Sequence, residues 1–594
     1  MNRKYFNFDT VLLIDGSLRF LKKKINYIKE NSSENILAIT CNHRMFNLSE
    51  KNFIKAEIDA LNLNHLMFSI RPSVKKNILK LSLKREYIEK LRRCYQLFFL
   101  FHVLDKYKIK KVVLPQKYFL KFKIKKDEFY LLKKITYDHV EKLKNLFKKK
   151  GADSKLLTFF KISKINKNDS NLTRIIYLDD IKDTTDKFSL NTKQIKKSES
   201  DLFWIGFDNK FKDVPWKKKY KKDYWYRIAK NSQKEKPLFK YLKYCTRCCL
   251  PETWEGIKFD KFGICSICKS SEEKMNINWK IREKLLKKIL YKNKQKNYYD
   301  CLLPISGGKD STFQAYILKN VYNLDPLAIT HGTNWMSLTG RYNLENCLNK
   351  FDLDHLIFHP SRSLINNVAN KSIGFIGDSC WHCHIGVGTF SIQTAIDWNF
   401  RLIVYGEAPA DSDARGQHKK MTKISPFRFL EVSAIVKAKK FVSKDIDLKK
   451  LSHWIYPERK NIKNTNLEII HLGQFIFWDE QKNIDLVVKK FGWKNTQVEN
   501  TYKGYKSVEC VMAGVHDYLN FLKRGIGRAT VHASQDVRRG LIYRGEGFEL
   551  AKKHDVEKPH AMEYYKKITK LSDNEISKKI IKARKNSKFA SKLK

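Results

Sequence analysis

Four short apolar runs stand in the second half of the chain: YDCLLPIS (299–306), PLAITH (326–331), HLIFHP (355–360) and RLIVYGE (401–407). Stretches of helical length separate them. Strands joined this way pair in parallel, because a parallel pair needs a crossover and a tight turn cannot supply one. The pattern predicts a doubly wound α/β sheet with helices on both faces. Ligands of such sheets bind beyond the carboxyl ends of the strands. The first run ends there in Ser306-Gly307-Gly308-Lys309-Asp310-Ser311, and a helical pattern follows.

That loop has the chemistry of a phosphate site. Glycine has no Cβ, so backbone N–H groups at Gly307 and Gly308 can approach an anion closely. Together with the helix N-terminus they form an anion nest. Lys309 adds a point charge, Asp310 can hold Mg²⁺, and Ser306 and Ser311 can donate to phosphate oxygens. The spacing is not that of a Walker A loop, which needs four residues between its first glycine and the Gly-Lys pair. Two further strand ends should face the same ligand. THGTNW (330–335) places His331 near a nucleobase, and YGEAPADSD (405–413) offers Glu407, Asp411 and Asp413 to a metal or substrate. For Asp411 and Asp413 a solvated loop is an equal reading.

SGGKDS resembles the PP-loop of the ATP pyrophosphatases, whose fold is the adenine nucleotide alpha hydrolase-like sheet. The resemblance implies ATP and Mg²⁺ as cofactors and cleavage between the α and β phosphates. Lys309, Asp310 and Glu407 are then the expected catalytic groups. Ser306, Gly307, Gly308, Lys309, Asp310, Ser311 and His331 are the expected nucleotide contacts.

Ahead of the sheet, YCTRCCLPETWEGIKFDKFGICSICKS holds two CxxC pairs, Cys245 with Cys248 and Cys265 with Cys268, sixteen residues apart. Each pair can bring both thiolates to one ion, and the stretch between them has Pro251, Gly256 and Gly263 to fold it back. Four thiolates predict tetrahedral Zn²⁺ with no open position, hence a structural site. Cys249 is expected only to pack.

At 594 residues the chain predicts two to four domains. The expected boundaries are 1–235, an N-terminal α/β extension; 236–290, a linker and four-Cys zinc knuckle; 291–560, the PP-loop domain; and 561–594, a basic helical tail that frays. In the extension, DTVLLIDG, NILAITC, IKKVVLP and TRIIYLDD read as strands, no catalytic constellation is visible, and Ile14-Asp15-Gly16-Ser17 reads as an ordinary turn. No internal repeat is evident. The net charge of +56 raises nucleic acid as a partner. The lysines are dispersed along the whole chain, so solvated faces are the expectation and a specific nucleic-acid partner is not. No apolar run reaches the roughly 18–20 residues of a membrane span. YQLFFLFHVL (95–104) fits a buried helix. A cytoplasmic location is expected, where cysteines serve as ligands or core rather than disulfides.

Three stretches in order narrow the reading. The cysteine segment, IGDSCWHCHIGVGTFSIQTAIDWNFRLIVYGEAP (376–409) and AGVHDYLNFLKRGIGRATVHASQDVRRG (513–540) resemble signatures of the N-acetyl sugar amidotransferase family (WbpG/PseA-like). Residues 1–235 lie outside the resemblance. It implies an ATP-dependent, AMP-forming enzyme that converts a sugar acetamido group to an acetamidino group. The substrate would be a nucleotide-linked N-acetyl sugar on the way to a surface polysaccharide, lipopolysaccharide or a pseudaminic or legionaminic acid of a flagellin glycan. No glutaminase nucleophile is visible, and the chain starts Met1-Asn2. Ammonia is therefore expected from separate glutaminase and synthase-like subunits. The alternative is a tRNA-thiolating PP-loop enzyme, because Cys380 and Cys383 in CWHCH form a third CxxC.

Overall fold

The computed structural model describes residues 7–14, 34–42, 48–74, 85–109, 111–114, 174–177, 237–294, 299–411, 436–585 and 589–593, with residues 334 and 464 excepted and a few single residues between. Ten strands form one sheet: β1 (Thr10–Ile14), β2 (Ile36–Asn42), β3 (Asn64–Ser69), β4 (Lys111–Leu114), β5 (Arg174–Tyr177), β6 (Leu302–Pro304), β7 (Leu327–His331), β8 (His355–His359), β9 (Leu402–Tyr405) and β10 (Glu468–His471). Their spatial order is β10-β9-β6-β7-β8-β3-β2-β1-β4-β5. Every neighbouring pair is parallel except β3 and β8, which run antiparallel. The parallel α/β sheet expected from the sequence is present, and it extends into the N-terminal region.

The strands are short and mostly apolar because helices cover both faces. β1, β2, β3, β7, β8 and β9 are buried along their full length. In the N-terminal half the helices are α1 (Leu48–Ala60) and α2 (Arg85–Tyr107). α2 contains the run expected to be a buried helix. Leu97, Phe98, Phe99, Leu100 and Phe101 are each at most 1% exposed, in a core that also holds Leu302, Leu327 and Phe358 of the other half. At roughly 1.5–3 kcal/mol per fully buried large apolar side chain, this shared core binds the halves strongly. The expected turn at residues 14–17 falls outside the described residues beyond Ile14.

The C-terminal half continues with α3 (Ser266–Met275), α4 (Trp279–Lys292), α5 (Lys309–Tyr316), α6 (Leu338–Lys350), α7 (Arg362–Ile376), α8 (Trp381–Asp397), α9 (Glu480–Phe491), α10 (Ala513–Arg524), α11 (Arg528–Arg538), α12 (Arg544–Asp555), α13 (Ala561–Thr569) and α14 (Asp573–Lys585). The tail is helical as expected over Asp573–Lys585. Ile576 and Ile580 sit one turn apart on α14, so both enter the core that holds Tyr564, Tyr565 and Leu519. The absence of an internal repeat needs correction. The sheet consists of two blocks, β3-β2-β1-β4-β5 and β8-β7-β6-β9-β10, each with strand order 3-2-1-4-5. Among the described residues no helix is long and apolar enough to cross a membrane.

Candidate active site

The loop after β6 turns at Gly307, whose φ is +85°. A Cβ there would meet the Gly340 carbonyl oxygen at 2.5 Å, so only glycine fits. Trp493 Nε1 donates to the Gly307 carbonyl at 3.0 Å and pins the turn from behind. Gly308 is the N-cap of α5, and no side chain caps the helix. Its first N–H groups therefore remain available to an anion. Ser306 Oγ accepts from Gly308 N at 3.3 Å, and Ser311 Oγ donates to the Gly308 carbonyl at 3.0 Å.

This loop opens into a cavity of about 670 Å³ at the carboxyl ends of β6, β7 and β9. That volume suits a mid-sized organic ligand. Ser306, Gly308, Lys309, Asp310 and Ser311 line it, with His331 and Glu407 from the two neighbouring strand ends. The expected site residues thus come together, except that Gly307 lies behind the wall. Glu407 is exposed at the rim. His331 is buried, both its ring nitrogens lack hydrogen-bond partners, and burial holds its pKa down at about 3. Asp411 is engaged by Lys274 Nζ and His418 Nε2, each at 2.7 Å, as a structural carboxylate. Asp413 and Asn334 lie outside the described residues.

Lys309 is only 5% exposed. Burial alone would lower its pKa, but the carboxylates of Asp310 and Glu480 outweigh it and raise it. Its Nζ bonds Asp310 Oδ2 and lies 2.9 Å from Glu480 Oε1. Glu480 also binds Lys506, and Arg539 Nη1 is 3.3 Å from Oε2. Burial opposes ionisation of Glu480, yet the three cations hold its pKa well below the carboxylate range. Lys506 is pulled down to about 8, mainly by desolvation. Asp310 Oδ1 is buried without a hydrogen-bond partner, so it retains lone pairs for a cation. Glu480, Lys506, Arg539 and Glu509 were not anticipated from the sequence. They are common surface residue types far from the loop, and no local spacing marks them.

The cysteine knuckle folds as expected. The four sulfurs all lie within 4.8 Å of one another, with Cys245 to Cys268 at 3.9 Å and Cys248 to Cys265 at 3.8 Å. A tetrahedral ion with sulfur bonds of about 2.3 Å needs sulfur separations of about 3.8 Å, so the four thiols can hold one metal ion. The N–H of Cys265 donates to Cys245 Sγ at 3.2 Å, which favours the thiolate. Arg538 links the knuckle to Asp411, which lines the cavity. It bonds Cys248 Sγ at 3.8 Å and the Asp411 carbonyl at 3.2 Å. Cys249 packs against α12, where a Cβ on Gly547 would meet its sulfur at 2.5 Å.

On the far wall stand Cys380, Cys383, Cys510 and His516. His516 Nδ1 lies 2.8 Å from an Asp378 oxygen. Burial lowers the His516 pKa but the Asp378 carboxylate outweighs it, and the net shift is upward. α11 begins at this wall: Asp555 accepts from the N–H groups of Gly527, Ala529 and Thr530 at 2.8–3.1 Å, and Arg528 faces the cavity and bonds Asp517.

Fold and cavity together define a doubly wound α/β protein with an anion-type loop under a C-terminal helical wall. Residues 499–594, which supply Cys510, His516 and Arg528 of that wall, match the family described as LPS biosynthesis protein WbpG-like, C-terminal domain. The match covers the C-terminal sixth of the chain. No curated protein matches the chain.

Proposed function

We propose that the chain is an AMP-forming amidotransferase of the PP-loop type, acting on a nucleotide-linked N-acetyl sugar. One observation carries the reading. Glu509, Arg528 and Arg539 of the WbpG-like segment line the same cavity as Lys309 and Asp310. The phosphate loop and the sugar-biosynthesis segment therefore face one ligand space.

In this reading the N–H groups opening α5, Ser306, Ser311 and Lys309 bind the ATP phosphates. The acetamido oxygen attacks the α-phosphorus and pyrophosphate leaves. Ammonia then attacks the activated carbon, AMP departs with the oxygen, and an acetamidino group remains. Asp310 would hold Mg²⁺, which neutralises charge on the leaving pyrophosphate, with Glu407 at the rim as a second ligand. Lys309, braced by Glu480, is held at the position where negative charge grows, the usual source of large electrostatic stabilisation. The four-cysteine knuckle would hold structural Zn²⁺. Ammonia arrives from a separate glutaminase with a synthase-like subunit.

The test is AMP and pyrophosphate release with ATP, ammonium and a panel of nucleotide-linked N-acetyl sugars. The product should be basic and about one mass unit lighter, because NH replaces O. Lys309→Ala and Asp310→Ala should each cost on the order of 10²–10³-fold in turnover. Formation of ADP would refute the mechanism.

A second reading has its own support. Cys380, Cys383 and Cys510 line the cavity that holds the phosphate loop, and a PP-loop enzyme that thiolates tRNA needs cysteine sulfur at that place. AMP formation that requires tRNA and a sulfur donor would decide for it.

A further inference from the structure

The two blocks of the sheet share more than strand order. From β2 through β3, adding 290 to a residue number in the N-terminal half gives its counterpart in the other half; for β1 the offset is 291, since Val11 pairs with Leu37 as Leu302 pairs with Leu327. α1, Leu48–Ala60, falls on α6, Leu338–Lys350, over its full length. Leu37-Ala38-Ile39-Thr40 falls on Leu327-Ala328-Ile329-Thr330, and His65-Leu66-Met67-Phe68 on His355-Leu356-Ile357-Phe358. Asn62 and Asp352 are counterparts, and both have positive φ, 54° and 50°. β2 and β3 pair in the same register as β7 and β8, Ala38 with His65 and Ala328 with His355. The same internal contact recurs: His65 Nε2 lies 3.0 Å from Thr40 Oγ1, and His355 Nε2 lies 2.8 Å from Thr330 Oγ1.

The halves meet as equivalents. Where β3 pairs antiparallel with β8, Met67 stands opposite its own counterpart Ile357. A local two-fold axis passes between them, and the contacts on either side repeat. Asn64 Oδ1 accepts from Ser361 N at 3.0 Å, and its counterpart Asp354 accepts from Arg71 N at 2.6 Å. Asn62 Oδ1 accepts from Ser363 N at 3.0 Å, and its counterpart Asp352 accepts from Ser73 N at 2.7 Å. Residues 71 and 361 are again 290 apart, as are 73 and 363. This is an isologous interface of the kind that joins two copies of one chain, here within a single chain.

The copy is not complete. The register of β1 sets Val11-Leu12 on Leu302-Leu303, and in the sequence Gly16-Ser17-Leu18-Arg19 then aligns with Gly307-Gly308-Lys309-Asp310 of the phosphate loop. The first glycine is kept, but the glycine N-cap, the lysine and the carboxylate are replaced.

We propose that the N-terminal half is a second copy of the nucleotide half that has lost its phosphate loop and serves as the built-in partner closing the β8 edge. An open edge would otherwise present unpaired N–H and C=O groups to other chains. The pairing stands on its own geometry. The clause on the lost loop rests on the reading of Lys309 and Asp310 as a nucleotide site.

The experiment uses the full chain. A protease site is inserted in the polar stretch 230–236, the purified protein is cut, and sedimentation follows its mass. The cut halves should remain one particle of the intact mass, 70.3 kDa. Met67→Asp, which places a carboxylate on the two-fold axis, should let them part after cutting. Separation of the wild-type halves by cutting alone would overturn the pairing, whether or not the Met67 variant folds. Equilibrium dialysis with a non-hydrolysable ATP analogue should find one site per uncut chain and none in Lys309→Ala. A site that survives in Lys309→Ala would overturn the lost loop. Absence of binding in the wild type would instead refute the proposed function, while sedimentation still decides the pairing.

Discussion

Glu480→Gln tests whether the cation cluster is built for a polyphosphate. Glu480 is 5% exposed and is the anion shared by Lys309, Lys506 and Arg539. Removing one partner of a buried ionic network costs roughly 3–5 kcal/mol. Two features put this case at the low end, about 3 kcal/mol. Lys309 keeps Asp310, and Lys506, already near a pKa of about 8, can shed its proton. Urea unfolding, followed by fluorescence, measures the loss. The same experiment with a non-hydrolysable ATP analogue carries the sharper expectation. A bound polyphosphate supplies the anion that the variant lacks, so the analogue should stabilise Glu480→Gln more than wild type. Tenfold tighter binding would appear as about 1.4 kcal/mol of extra stabilisation at saturating ligand. Turnover should nevertheless fall, because Lys309 is no longer held from two sides. A variant that loses less than about 1 kcal/mol, or an analogue effect equal in both proteins, would refute the reasoning.

Three further expectations follow from the geometry. Gly307→Ala forces a Cβ onto the Gly340 carbonyl at a φ of +85°, and should cost about 2 kcal/mol or more, read by thermal melting, together with loss of analogue binding. Metal analysis should find about one zinc per chain, and Cys265→Ser should lose both the metal and the packing of Arg538. Lys506 is charged below its pKa of about 8 and neutral above it, so analogue affinity should hold near pH 7 and decline as pH rises through 8. In Lys506→Arg that decline should vanish, because guanidinium does not titrate there.

The sequence made some of this legible for identifiable reasons. Strands β6 to β9 are buried on both faces and so appear as continuous apolar runs. The loop residues Ser306 to Ser311 are contiguous, and their chemistry is local. β10 was not singled out, because Glu-Ile-Ile-His has only two aliphatic residues between a carboxylate and a histidine, too little to stand out. Glu480, Lys506 and Glu509 escaped because the cavity gathers them from distant segments and each type is common on surfaces. The duplication was present in the letters, as Leu-Ala-Ile-Thr twice and His-Leu-x-Phe twice. It is hidden by its length, since a period of 290 residues lies far beyond the spans over which repeats usually declare themselves.

The two sides of the β3–β8 contact are not identical. Arg71 donates through Nε to Asp354 at 2.8 Å and through its two terminal nitrogens to Asp325 at 3.0 Å, and Tyr299 donates to Asp354 at 2.7 Å. On the other side of the axis, Asn64 stands in place of Asp354 and Ser361 in place of Arg71. A dimer of separate, identical chains cannot arrange this. There every substitution at the axis is made twice, and an arginine gained on one side is gained on both. Joining the copies in one chain removes that restriction. A buried charge can be placed where only one side has room for it, and the other side can stay neutral. The seam can thus become lopsided one residue at a time, and the half without a phosphate loop is free to change so long as it holds its edge.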